Sequence, residues 1–224
     1  MEIILFHPDV DVIGAIDAAT AQCTGVTTLY ADYAELYRSG LARDGAVVSP
    51  GNSFGILDGG FDAALYEAHG PLLELYIKRA IIDEYGLEMP VGTALYIAAP
   101  DGQPIIYAPT MQGPMGISGT DNVYLAARAA AHCARRHNLR RLYMPLLGTG
   151  AGGVDLEIAL EQLLTGARDG SAAITPEQMT WEHADRMHQR WHRMWGVPDD
   201  GYRWADAHEE ASHSDGQLDD PAQC

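Results

Sequence analysis

Twice in this chain a short apolar run of strand length gives way to a glycine-rich loop and then to helical spacing. Ala46–Ser49 leads into SPGNSFGILDGGFD, and Leu142–Pro145 leads into LLGTGAGGVDLE. Ligands of α/β sheets sit outside the carboxyl ends of strands. Loops there can aim backbone N–H groups at an anion, with a helix N-terminus behind them. Glycine lets that backbone come close, because no Cβ is in the way. One such loop is commonplace. Two in equivalent places are a pattern, and they tie the fold class to a site.

The rest of the chain alternates strands and helices. Strands are expected at Glu2–Phe6, Val26–Ala31, Ala46–Ser49 and Leu142–Pro145, with Pro50 ending the third by removing a ladder donor. Thr93–Ala98 and Ile105–Ala108 flank PDGQP, whose Asp-Gly pair predicts an antiparallel hairpin. Helical spacing covers Pro8–Ala21, Tyr33–Arg38, Phe61–Ala68, Pro71 through Tyr85, Thr120–Arg136, Val154–Gly166 and Pro176–Trp195. Strands interleaved with helices, plus one hairpin, predict a three-layer α/β/α sandwich with a mixed central sheet. The expected organisation is an α/β/α domain over 1–172, an amphipathic helix over 173–198 packed on it, and an acidic, disordered tail over 199–224.

Composition bounds the function. With 224 residues and 47% hydrophobic content the chain can bury a full core. No apolar run reaches the ~18 residues of a membrane span, and MEIILFHPDVDV lacks the basic start and small-residue cleavage site of a secretory leader. Cys23, Cys133 and Cys224 have no metal-ligand spacing and read as two core thiols and a tail residue in a reducing compartment. A cytoplasmic protein is the expectation. A net charge of −17 argues against generic nucleic-acid binding, which needs a basic stripe. It leaves room for a small anion held by local donors, because remote charges are screened over about 8 Å. His188 and His192 stand four apart on the last helix without a third ligand, so neither a metal nor a cofactor is expected.

The second loop contains G-x-G-x-x-G as Gly148, Gly150 and Gly153. A dinucleotide fingerprint also needs a helix and then a strand ending in an acidic residue about twenty positions on. The chain instead reads ARDGSAAITPEQ after Gly166, which is no strand, and the P-loop lysine is missing too.

Taken together and in order, these segments resemble the macrodomain family of ADP-ribose-binding α/β/α modules. VVSPGNSFGILDGGFDAAL is similar to the family's strand, Asn-containing loop and Gly-Gly-Val-Asp segment, and MPLLGTGAGG to its phosphate loop. LYADYAEL resembles the family's Gly-Asp-Ile-Thr stretch, and LEMPVGTALYIAA and IIYAPTM its intervening strands. The likeness covers roughly residues 24–168, and SPGNSFGILDGG with APTM looks like a bacterial and phage-type subgroup.

The resemblance implies roles, position by position. Asp32 would accept from the adenine amino group, with the Tyr33 N–H pairing to the ring; by residue type alone, Asp32 reads equally as a helix cap. Gly148, Thr149, Gly150, Ala151 and Gly152 would wrap a diphosphate through neutral amides, so no Lys or Arg patch is needed. Asn52, Gly59, Gly60 and Asp62 would face the distal ribose, and Asn52 and Asp62 are the catalytic candidates. Asp62 would hold or deprotonate a water, whereas its plain reading is an acid complementing a helix dipole, and that of Asn52 a turn residue. The chain also departs from the family. Where many hydrolytic members carry an aromatic over the distal ribose, it has Ala151, Gly152 and Gly153, which implies a more open cleft or cover by another residue such as Phe54 or Phe61. The only lysine, Lys78, matches no motif of the lysine-nucleophile variant. Two functions follow from the resemblance: hydrolysis of an ADP-ribose derivative, with an ADP-ribosylated protein or nucleic acid as the candidate substrate, or non-catalytic binding of ADP-ribose or a related NAD-derived small molecule.

Overall fold

The apolar runs pair into a six-stranded sheet. In chain order the strands are β1 (Glu2–His7), β2 (Val26–Tyr30), β3 (Ala46–Ser49), β4 (Leu95–Ala98), β5 (Pro104–Tyr107) and β6 (Arg141–Met144). Their order across the sheet is β2-β1-β6-β3-β5-β4. Four pairings are parallel, and β4 joins β5 antiparallel through the Asp-Gly turn, so the sheet is mixed as expected. This computed structural model describes residues 1–195 (the backbone alone for 191–195) together with 201, 203 and 206.

Strand side chains alternate between two cores, as the period of two requires. Ile3, Leu5, Val48, Leu142 and Met144 join one, while Ile4, Phe6, Val47, Tyr143 and Tyr107 join the other. Helices α1 (Val10–Thr20), α5 (Asn122–Arg136) and α6 (Leu156–Ser171) fill the first core with Ile13, Ile16, the buried alanines of α5 and Leu163. Helices α2 (Tyr33–Ser39), α3 (Gly60–His69) and α4 (Pro71–Tyr85) fill the second with Leu36, Leu65, Leu73 and Ile77. The result is the three-layer α/β/α sandwich. Truncating a fully buried residue such as Leu65 or Ile77 to Ala costs about 2–5 kcal/mol in a core of this kind.

Parallel pairing decides where the site must be. Val47 lies in register with Tyr143 and Ala46 with Leu142, so β3 and β6 are neighbours running the same way. The two glycine-rich loops therefore leave the sheet side by side at the same edge. A gap of some ninety residues in sequence becomes adjacency in space.

The chain divides into two units, Met1–Ala172 and Ala173–Cys224. In the second unit, the single helix expected over Pro176–Trp195 is broken: a 3-10 turn over Pro176–Gln178 precedes α7 (Trp181–Trp195). Thr175 and Gln178 cap the turn reciprocally, Met179 adopts a non-helical backbone, and the Thr180 hydroxyl accepts from His183 N at 3.2 Å to start α7 afresh. Cys23 also departs from expectation, since it is exposed beyond α1, whereas Cys133 is buried in α5. Among the described residues no helix is long and apolar enough to cross a membrane. Cys224, the His192 side chain and almost all of the acidic tail lie outside the described residues.

Candidate functional site

A cleft of about 470 Å³ opens where the two glycine-rich loops meet, and every residue singled out from the sequence as binding or catalytic lines it. The Asp32–Tyr33 segment forms one wall and the β6–α6 loop another. Asn52, Gly59, Gly60, Phe61 and Asp62 line a third, where α3 begins. No Lys or Arg lines the cleft among the described residues; the charged side chains there are Asp32, Asp58 and Asp62.

What the cleft offers an anion is bare backbone. None of the amides of Gly148, Thr149, Gly150, Ala151 and Gly152 donates to a protein acceptor among the described residues. Gly148 and Gly152 are buried, Thr149 is half-buried and Gly150 and Ala151 are exposed, so the row of five N–H groups lies open at the cleft to an acceptor from outside the protein. The loop's shape is held from behind: Gly153 N donates to Gly150 O at 3.0 Å, Val154 N to Gly148 O at 3.0 Å and Ile117 N to Gly152 O at 2.8 Å. Two glycines here are required by the fold. A Cβ on Gly148 would come within 2.5 Å of Val123 Cγ2, and one on Gly152 within 2.5 Å of Gly148 O. Gly150 differs. A Cβ there would meet nothing within 4 Å, so no protein contact calls for a glycine.

The first loop supplies a second set of donors. Gly59 is the N-cap of α3 and brings no side-chain cap, and the amides from Gly59 through Asp62 have no protein acceptor among the described residues. The positive end of the α3 dipole is thereby left open toward the cleft. Asn52 stiffens the loop beside it. Its Oδ1 accepts from Phe54 N (3.1 Å) and Ile56 N (3.3 Å), and its Nδ2 donates to Ile56 O (2.8 Å). Its backbone is clamped by the Tyr107 hydroxyl, which donates to Asn52 O at 2.7 Å and accepts from Asn52 N at 3.0 Å. Asn52 thus fills the turn-residue role in full, with at most one amide proton left to give a ligand.

Asp62 is the unusual group. It sits in the first turn of α3, only 7% exposed, and its Oδ1 accepts from the Ser49 hydroxyl at 2.6 Å. Burial pushes its pKa up to about 7; the Ser49 bond opposes this and the nearby Asp58 charge adds to it. A carboxyl that changes charge near neutrality can take or give a proton at working pH. Gly51 explains how it fits: a Cβ on Gly51 would lie 2.2 Å from the Tyr107 hydroxyl and 2.7 Å from Asp62 Oδ2. The bare Cα makes room for both groups beneath the loop.

At the opposite wall Asp32 does cap α2, accepting from Glu35 N at 2.7 Å through Oδ1, and it also lines the cleft. Tyr33 is held from behind. Its hydroxyl donates to His69 Nε2 at 2.6 Å, while His69 Nδ1–H donates to Asp101 at 3.1 Å; burial lowers the His69 pKa and favours this neutral form. The Tyr33 ring meets Phe61 edge-on at 5.2 Å, and Phe61 in turn packs on Phe6 at 5.8 Å. Phe61 therefore lines the cleft, whereas Phe54 is on the exposed side of its loop and does not. At the start of α5, Asn122 Nδ2 donates to Thr110 O and the Tyr124 hydroxyl to Asp169, and neither residue lines the cleft. Lys78 is paired with Glu74, away from the cleft. Ser49, Tyr107, Thr110 and Met111 escaped the sequence reading. For Ser49 and Tyr107 the signal was weak, a polar residue at the end of each of two buried strands, and Thr110 and Met111 follow in the loop after the second.

The family model described as Macro domain matches residues 48–163, a little over half of the chain. An uncharacterized protein of Aquifex aeolicus (strain VF5) is 27% identical over 153 residues, which cover 67% of this chain and 89% of the relative. Among solved structures, the macrodomain of Mycobacterium tuberculosis DarG is similar with a TM-score of 0.47 at 23% identity, over 56% of this chain and 82% of that one. A mutant Oceanobacillus iheyensis macrodomain with ADPR is similar with a TM-score of 0.49 at 17% identity, over 65% and 87% respectively.

Proposed function

Because the chain belongs to the Macro domain family, we propose that its cleft binds ADP-ribose or an ADP-ribose derivative and hydrolyses the bond at the distal ribose. In this reading adenine lies against Asp32 and Tyr33, the diphosphate over residues 148–152, and the distal ribose toward Asp62. The observation that carries it is the row of five amides without a protein acceptor, in a cleft that no Lys or Arg lines, among the described residues. An anion bound by neutral dipoles reconciles an acidic protein with an acidic ligand, and charge-assisted hydrogen bonds to such donors are among the strong ones.

The chemistry falls to Asp62. As a carboxylate it takes a proton from water while the water oxygen attacks the anomeric carbon. The bond to the leaving group breaks, and its electron pair departs with that group. General-base help of this kind is worth about 10²–10⁴-fold. The attached group would be a protein side chain, a nucleic-acid base or end, or an acyl or phospho substituent. A second reading, a module that binds without turnover, is favoured by one observation: the Asn52 amide is already committed to its own loop.

Calorimetric titration with ADP-ribose tests what both readings share, and no binding at millimolar ligand would sink both. Incubation with ADP-ribosylated protein and nucleic acid, wild type beside Asp62→Ala, separates them. Release of ADP-ribose by the wild type and its loss in the variant is the expected result; equal release by both would remove Asp62 from the chemistry.

A further inference from the structure

We propose that Ser49 is a positioning residue for Asp62: its hydroxyl donates to Oδ1, leaving Oδ2 as the oxygen that works at the cleft, and so fixes the pH range over which Asp62 serves as a base. The catalytic half of this statement rests on the hydrolytic reading above.

Ser49 is the last residue of β3 and fully buried between apolar neighbours, a place where a sheet asks only for a small side chain. Its hydroxyl is committed across thirteen positions of sequence to Asp62 Oδ1, at 2.6 Å. No other side chain among the described residues donates to that carboxylate. The Tyr107 hydroxyl, from β5, lies beneath Gly51 as Asp62 Oδ2 does, and its single proton goes to Asn52 O. Asp58, on the loop before α3, bears on Asp62 as a like charge and so opposes its ionisation. Glu74, on α4, bears on Tyr107 rather than on Asp62 and is itself paired with Lys78. Ser49 is therefore the one side chain among the described residues that hydrogen-bonds and so favours the ionised form, beside the N-terminus of α3 in whose first turn Asp62 sits. With Oδ1 held, Oδ2 lies beside the bare Cα of Gly51, itself part of the cleft lining. In the hydrolytic step the water proton passes to Oδ2, and Ser49 keeps its own.

The test is a carboxyl titration on the full chain, carbon-13 labelled at Asp, with Asp62→Asn identifying the Asp62 resonance. Ser49→Ala is expected to raise the Asp62 midpoint by about one to two pH units, the size of a hydrogen bond to a charged group. Ser49→Thr, which keeps the hydroxyl, should return most of the shift, and Ser49→Cys, a weak donor of similar volume, should fall between. The acidic limb of the rate profile should move with the midpoint. A hydroxyl that merely packs would change thermal stability and leave the midpoint in place. An unmoved midpoint in Ser49→Ala with a native circular dichroism spectrum overturns the proposal, and should that variant fail to fold, an unmoved midpoint in Ser49→Cys does the same. If the midpoint moves but the wild type hydrolyses no ADP-ribosyl substrate, the hydrolytic reading falls and the electrostatic role of Ser49 stands.

Discussion

Replacing Asp62 with Asn should make the protein more stable at pH 8 while changing little at pH 4. The native pKa of Asp62 is raised from 3.8 to about 7, chiefly by burial. The native state therefore binds a proton that the unfolded chain has already lost between those values. A group with a raised native pKa contributes stability that is fully present below the unfolded pKa and is lost as pH rises through the native one. Each pH unit in that window removes about 1.4 kcal/mol, and the whole span amounts to on the order of 4 kcal/mol. Asn cannot ionise, yet its side-chain oxygen can still accept from Ser49, so the variant should show no such slope from this site. The difference between variant and wild type should open from near zero at pH 4 to several kcal/mol at pH 8. Urea unfolding followed by circular dichroism measures it. Tryptophan fluorescence would not serve, because all four Trp residues lie from position 181 onward, outside the unit that holds the site. Parallel stability curves for the two proteins from pH 4 to pH 8 would refute the reasoning and mean that Asp62 is ionised at little cost in the folded state.

Other substitutions separate folding from binding. A Cβ at Gly150 meets no protein atom within 4 Å, so Gly150→Val should fold with stability within about 0.5 kcal/mol of wild type, yet weaken ADP-ribose at least tenfold by calorimetry if the added bulk at this cleft-lining position crowds the ligand. Gly152→Ala should do the reverse of an innocent change, losing about 1–3 kcal/mol in urea because its Cβ would press on Gly148 O. Asp32→Ala removes the α2 cap and should cost about 1 kcal/mol of stability; a fall in ADP-ribose affinity beyond what Asp32→Asn causes would measure the carboxylate's part in binding. Tyr107→Phe leaves both Asn52 N and Asn52 O without their partner and should cost about 1–3 kcal/mol by thermal melting.

The strands and loops were legible because their signals are local. Val47 and Val48 alternate between cores within one short run, and Pro50 and the glycines mark where that run must end. The site's outline followed from two such loops and parallel pairing. The coupling inside it was hidden, because Ser49, Asp62 and Tyr107 are brought together by β3–β5 pairing and by the placement of α3, neither of which leaves a mark on the residues themselves. Asn52 shows the converse. Its turn chemistry was plain from residue type, and the turn does occupy its side chain. The continuous helix expected from Pro176 failed on a local competition: the Thr175–Gln178 cap closes a short turn, and Thr180 then restarts the helix.

The proposed binding of an anion in a cleft that no described Lys or Arg lines has a kinetic signature. The chain carries a net charge of −17, so the field a negative ligand crosses on approach is repulsive, and the attraction acts only at contact. Added salt screens that field over distances of about a Debye length and leaves short dipolar contacts largely intact. Association should therefore quicken as ionic strength rises while dissociation barely changes, the opposite of what a lysine-lined nucleotide site displays. On the proposed reading, a short diphosphate whose charge fits within reach of one loop should gain less from added salt than an ADP-ribosylated nucleic acid, whose charge feels the whole surface.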